Sequence, residues 1–285
     1  MRKISLFLMV MSVLLFTGCK DYGEKRIVSL LLADSEKVAL YYYDFSADKP
    51  TYLKEEKINK GLKNTLTEML AENDYDLKLC KYAVVSEDVI KNNMSDLFFA
   101  LTDTRFAQDI VIVKGDTDKN ANDYTELKKD RYPIYNYRHS GESISCIVEN
   151  AENEEKNIII NNILYKILNR QQGFCFDILS GNASSGVYYF LYGGENYSAQ
   201  LNTISTFNSV KDNTLYINIS AVLKSYKGMP SGKKYKRKME KILAEDIAHN
   251  VKEVLSDKVI TERFDILWYK NVEDFGKINI NVNII

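Results

Sequence analysis

The stretch LYINISAVL at residues 215–223 decides how this chain folds. Leu215, Ile217, Ile219, Ala221 and Leu223 fall on one side and Tyr216, Asn218, Ser220 and Val222 on the other. That is the strict period of a strand with one buried face. Working back, Lys211-Asp212-Asn213 supplies a polar turn, and Leu201, Thr203, Ser205 and Phe207 alternate on a partner strand. Working forward, Gly228-Met229-Pro230-Ser231-Gly232 breaks the strand. Tyr235, Met239, Ile242, Leu243, Ile247, Val251, Val254 and Leu255 then recur at three- and four-residue steps, which predicts a long amphipathic helix. Phe264 to Trp268 is a short strand candidate, and Ile278, Ile280, Val282 and Ile284 alternate with Asn279, Asn281 and Asn283. The order β-β-α-(β)-β predicts an α+β domain over residues 196–285, with the helix on one sheet face.

A second α+β domain is expected over residues 26–118. Ile27 to Leu32 and Val38 to Tyr43 bracket the turn Asp34-Ser35-Glu36-Lys37 as a hairpin, and Pro50 closes this region. Ile58, Leu62, Leu66, Met69 and Leu70 have helical spacing. Leu77, Leu79, Cys80, Tyr82, Val84 and Val85 read as a strand. Ser86-Glu87-Asp88 then caps a short helix through Val89, Ile90 and Met94. Residues 110–113 (IVIV) read as a strand buried on both faces. The middle region, residues 119–195, opens with a polar excursion to Arg131 and a turn-like segment from Tyr132 to Gly141. Residues 158–168 show helical spacing, with strand as the competitor because isoleucine dominates. Residues 174–179 and 187–192 read as a hairpin around Ser180 to Gly186. The fold class expected is therefore α+β, with mixed or antiparallel sheets each covered by helices.

The first residues carry an address. Arg2 and Lys3 precede an apolar run from Leu6 to Phe16 that is too short to span a bilayer core of ~30 Å. The run has the shape of a secretory h-region, so residues 1–18 are expected to be a signal peptide outside the fold. It ends in Leu15-Phe16-Thr17-Gly18-Cys19, where small residues before a cysteine look like a bacterial lipobox. Cys19 is the one site residue expected, as a diacylated thiol, with residues 19–25 as a lipidated tether. Two acyl chains meet the requirement for stable anchoring. The competing reading is a plain signal peptide that happens to contain a cysteine. Three cysteines remain, Cys80, Cys146 and Cys175, an odd set for a disulfide framework. Cys80 and Cys175 have apolar neighbours and read as buried thiols. Cys146 leaves one bridge open as the alternative.

Composition narrows the function by exclusion. Lys and Arg number 38 against 39 Asp and Glu, for a net charge of −1, which argues against nucleic-acid binding by bulk positive charge. His139 and His249 are the only imidazoles and read as a loop and an exposed helix residue. A two-histidine chain gives little support to a His-based metal centre. No Gly-x-Ser-x-Gly elbow, Cys-x-x-Cys pair or phosphate-binding loop occurs, and no cofactor is expected. Carboxylate pairs such as Glu55-Glu56 and Glu154-Glu155 carry little information, because a glycosidase needs two that converge in a cleft. Two surface features stand between structure and function. Lys233, Lys234, Lys236, Arg237, Lys238 and Lys241 crowd a helix start, either as a solvated face or as a contact for anionic lipid or an acidic partner. Tyr41-Tyr42-Tyr43 projects side chains to both sheet faces, as core with an exposed rim or as an interface anchor.

The ordered segments resemble the C-subunit lipoproteins of spore germinant receptors, the Ger(x)C family, in divergent and shortened form. Cys19 matches its lipobox cysteine. Leu32-Ala33-Asp34 resembles its strand ending in an Asp-containing turn. Residues 78–87 (KLCKYAVVSE) and Phe106 to Gly115, ending in Lys114-Gly115, resemble the two apolar segments that follow. Leu215 to Leu223, the helix from Lys234 to Leu255, residues 264–267 and the terminal strand Ile278 to Ile285 resemble its C-terminal domain in order and spacing. The resemblance implies a non-enzymatic, lipid-anchored α+β subunit at the outer face of the cytoplasmic membrane, the spore inner membrane. Its implied partners are integral-membrane A and B receptor subunits. The alternatives are a surface lipoprotein that binds a ligand or envelope protein, with no link to germination, and a tethered hydrolase.

Overall fold

The computed structural model describes residues 26–45, 51–101, 110–119, 138–140, 143–264 and 277–285, together with Tyr124 and Ile266. Cys19, the tether and most of residues 119–137 lie outside the described residues. So do the side chain of His139 and the greater part of the strand candidate from Phe264 to Trp268.

The chain divides into two units between Ile144 and Ser145. That boundary falls inside residues 119–195, set apart above as a middle region. The physical reason is pairing. Residues 186–192 hydrogen-bond with the strand that follows residue 194, so this last part of the span up to 195 shares a sheet with the C-terminal part.

The first unit contains strands β1 (Arg26–Ala33), β2 (Lys37–Asp44) and β3 (Thr51–Ile58), helix α1 (Leu62–Glu72), and strands β4 (Tyr75–Asp76) and β5 (Tyr82–Val85). Helices α2 (Glu87–Asn92) and α3 (Met94–Leu101) and strands β6 (Val111–Lys114) and β7 (Arg138–Ser140) follow. Its sheet runs β6-β5-β1-β2-β3, with β4 beside the start of β1. β1, β5 and β6 are parallel to one another, while β1, β2 and β3 are antiparallel. β1 lies in the middle, and Val28, Leu30, Leu31, Leu32 and Ala33 are all buried, the near-continuous apolar run of a strand covered on both faces. Leu62, Leu66 and Met69 of α1 and Leu97 and Leu101 of α3 are buried at helical spacing.

Three details differ from expectation here. β3 went unseen because it is an edge strand, and its Lys54, Glu55, Glu56 and Lys57 serve as edge protection rather than core. The strand expected from Leu77 begins at Tyr82, with Leu79 exposed in a turn. The short helix through Met94 is two helices, α2 ending at the cap Asn93 before α3 starts.

The second unit opens within a meander, β8 (Ser143–Asn150, of which residues from Ser145 on lie in this unit), β9 (Lys156–Ile160) and β10 (Ile163–Leu168). Residues 158–168 are thus two strands and not a helix. Asn161 and Asn162 both have positive φ, 52° and 68°, as the tight hairpin turn that matches strand twist requires. Gly193-Gly194 and Asp212-Asn213 repeat the device at two further hairpins. Residues 174–179 belong to helix α4 (Arg170–Leu179) and not to a hairpin strand. Asn169 accepts from the Gln172 N–H at 2.9 Å while the Gln172 side chain accepts from the Asn169 N–H, a reciprocal cap.

Strands β11 (Gly186–Tyr192), β12 (Glu195–Lys211), β13 (Thr214–Lys227) and β14 (Lys277–Ile284) form a four-stranded sheet in that order. β11 to β13 are antiparallel, and β14 runs parallel to β13 in register Leu215↔Ile278 to Ala221↔Ile284. Helices α5 (Lys233–Ser256) and α6 (Lys258–Arg263) connect them. Leu215, Ile217, Ile219, Ala221 and Leu223 are buried, as are Met239, Leu243, Ile247, Val251 and Val254 of α5. Each such Leu or Ile contributes on the order of 2 kcal/mol of hydrophobic stabilisation. The α+β class read from the sequence is the class the chain adopts.

Candidate functional site

Parallel strands end together, and the crevice beyond their carboxyl ends is where open α/β sheets place ligands. In the first unit the registers Ala33↔Val85 and Val85↔Lys114 bring Asp34, Ser86-Glu87 and Gly115 to Asp118 to one edge. Backbone bonds tie the three ends, Ser86 N–H to Ala33 O and Gly115 N–H to Val85 O, both at 3.0 Å.

Asp34 is the knot of this edge. Its Oδ1 accepts from the backbone N–H groups of Glu36 and Lys37, each at 2.7 Å, which folds the β1–β2 turn. Its Oδ2 accepts from Thr117 Oγ1 at 2.8 Å, and its carbonyl accepts from Asn59 Nδ2 at 2.6 Å. Beside it Lys37 pairs with Asp118. Glu87, in the first turn of α2, bridges Lys114 at 2.7 Å and Lys91 at 2.6 Å. Hydrogen bonds from those two ammonium groups hold its carboxyl down at about 2. A carboxylate so firmly ionised is no proton donor near neutral pH. Gly115 sits against Tyr124 and Val84, with room for no side chain: a Cβ there would lie 2.8 Å from both Tyr124 Oη and Val84 Cγ1. The Tyr124 hydroxyl donates to the carbonyl of Asp116.

Near the other end of β1 a cavity of about 290 Å³ is lined by Val28, Leu30, Tyr43, Tyr52, Leu79 and Tyr82, among others. Its polar fixture is the Ser29 Oγ to Tyr52 Oη pair at 3.0 Å. Of the tyrosine run, Tyr41 and Tyr42 are buried and Tyr43 is exposed, its ring 4.7 Å from that of Tyr52.

The second unit buries two polar clusters. Tyr188 donates to Asp246 Oδ2 at 2.5 Å and accepts from Asn250 Nδ2 at 3.1 Å, and burial drives its phenol pKa up. Lys156 is buried against Asp177 at 3.0 Å. Cys80, Cys146 and Cys175 are all buried and free. Burial pushes the Cys80 thiol up to about 12 and raises the other two as well, which keeps them protonated and poorly nucleophilic. His249 is exposed on α5. The basic cluster from Lys233 to Lys241 is exposed at the start of the same helix. Among the described residues no group of three or more His, Cys, Asp or Glu is placed to hold a metal ion. Nor is any helix among them long and apolar enough to cross a membrane.

The site residue expected from sequence, Cys19, lies outside the described residues. The strand-end cluster is what sequence reasoning did not assemble. Asp34, Glu87 and Lys114-Gly115 were each read as strand punctuation, and nothing local showed that they abut. Thr117 has no local signature, since its partner Asp34 is 83 positions away.

No protein-family model and no curated protein matches the chain. Among solved structures, the chain is similar to GerBC. The crystal structure of the GerBC protein matches with a TM-score of 0.46 and 13% identity, over 87% of this chain and 94% of that one. A type II variant of the Aquifex aeolicus Ppx/GppA phosphatase matches with a TM-score of 0.22 and 12% identity, over 50% of this chain and 51% of that one.

Proposed function

We propose that the chain is a non-catalytic, lipid-anchored subunit of a spore germinant receptor complex that takes part in nutrient-triggered germination. In this reading Cys19 is diacylated, and the two units stand on the outer face of the spore inner membrane beside integral-membrane A and B subunits. The observation that carries it is the meeting of the segments quoted for the family resemblance. Leu32-Ala33-Asp34, Val84 to Glu87 and Lys114-Gly115 form adjacent ends of three parallel strands, cross-linked by backbone hydrogen bonds. The chemistry of that edge supports a scaffold. The Asp34 carboxylate is taken up by two backbone N–H groups and a hydroxyl, and Glu87 by two ammonium groups.

The test is genetic. Spores lacking this gene are expected to respond poorly to nutrient germinants, read as slower loss of optical density, and to recover when the gene is restored. Normal nutrient germination in the deletion strain, with the neighbouring receptor genes intact, would overturn the reading.

A further inference from the structure

We propose that the start of α5 and the adjoining β11–β12 turn form a patch that binds an anionic phospholipid surface. The patch lies wholly in the second unit and needs neither the acyl anchor nor the receptor reading. At about 100° per residue, Lys233, Lys234, Arg237, Lys238 and Lys241 fall within an arc of roughly 140° on the face of α5 opposite its buried stripe. All five are exposed. Among the described residues, the acids that pair with this segment are Glu240, 3.4 Å from Lys236, and Glu245, 3.8 Å from Lys241. Among the described residues Lys233, Lys234 and Arg237 have no carboxylate partner. The chain as a whole carries a charge of −1, so this excess is local.

Folding does not account for the cluster. The cations stand at the positive end of the helix dipole, where they weaken the helix start. The first turn has no acidic residue, and Gly232 offers no side-chain cap. Such an arrangement suits a negatively charged surface that approaches from outside.

Apolar groups beside the charges favour a lipid surface over an acidic protein. Leu191 is 61% exposed and Tyr192 41% exposed, immediately before the turn Gly193-Gly194, which carries no side chains of its own. Lys238 Nζ lies 5.5 Å from the centre of the Tyr192 ring, so the apolar tip and the basic face are in contact. Tyr235 is 39% exposed on the same helix start. A leucine and tyrosines ringed by lysines fit the headgroup boundary, where apolar groups dip in and cations meet phosphate.

The experiment uses the chain from Lys20 onward, which keeps every described element, sedimented with vesicles. Binding to phosphatidylcholine mixed with phosphatidylglycerol is expected, with none to phosphatidylcholine alone and loss in high salt. The variant Lys234→Glu/Arg237→Glu/Lys241→Glu is expected to bind roughly a hundredfold more weakly or worse. Its Lys→Arg counterpart, Lys234→Arg/Lys241→Arg, should retain binding, and Leu191→Ser/Tyr192→Ser should weaken it with every charge in place. Circular dichroism melts confirm that each variant is folded. Equal binding to both vesicle types, binding to neither, or a charge-reversed variant that binds like the parent overturns the proposal. If vesicles are ignored while charge reversal releases an acidic protein from the full-length chain in its own membranes, the face docks protein and the lipid assignment falls. None of these outcomes bears on the germination phenotype.

Discussion

At Gly115 one missing methyl group holds the strand-end cluster together. A Cβ there would meet Tyr124 Oη and Val84 Cγ1 at 2.8 Å, closer than such atoms pack. Gly115→Ala is therefore expected to destabilise the first unit by about 1–3 kcal/mol, the usual range for overpacking a filled site. Denaturant titration checks this, and Gly115→Ala/Tyr124→Phe should recover part of the loss because one of the two nearest atoms is gone. An unchanged midpoint would show that the contact yields freely. At this scale the sequence disclosed some things and hid others. Cys80 and Cys175 read as buried from their apolar neighbours, and both are. The need for glycine at 115 was hidden, because it arises from a tyrosine and a valine that only the folded sheet brings near.

Elements were legible where a single period ran unbroken. LYINISAVL is a strand, and the stripe from Met239 to Leu255 is buried along α5, because each element buries one face at its own period. Residues 158–168 misled for a geometric reason. Ile160 and Ile163 are three apart across a two-residue turn, which mimics helical spacing, and the true signal was Asn161-Asn162. α4 was obscured by Gly173 and its aromatic neighbours, although Asn169 and Gln172 spell its reciprocal cap. The turn offers a direct check. Asn162 has φ 68°, so Asn162→Val is expected to destabilise the hairpin by about 1–2 kcal/mol, while Asn162→Gly should be neutral or better. Thermal melts of the two variants should separate in that order, and equal midpoints would mean the turn tolerates a change of type.

For the whole molecule, the chain enters the described first unit at Arg26, the end of β1 remote from the strand-end cluster. Arg26 starts β1, its guanidinium 5.3 Å from the centre of the Tyr42 ring and 5.7 Å from that of Tyr75. Residues 19–25 reach at most ~25 Å when extended, and the eight residues of β1 add ~26 Å before Asp34. An acyl group on Cys19 would therefore join the first unit through the end of β1 remote from Asp34. Cys19→Ala is expected to leave membranes on washing with high salt, whereas the parent requires detergent. A variant that stays processed and as tightly held as the parent would remove Cys19 as the anchor.

The two sheets also treat their margins differently. β3 ends its side with Lys54, Glu55, Glu56 and Lys57, whereas β11 (GVYYFLY) closes the second sheet with no ionic residue at all. An uncharged margin of tyrosine, phenylalanine and leucine offers open peptide groups to any passing strand. At high concentration, copies of this chain are expected to associate along that rim, and Val187→Lys on its outward face is expected to suppress the association, read as light scattering.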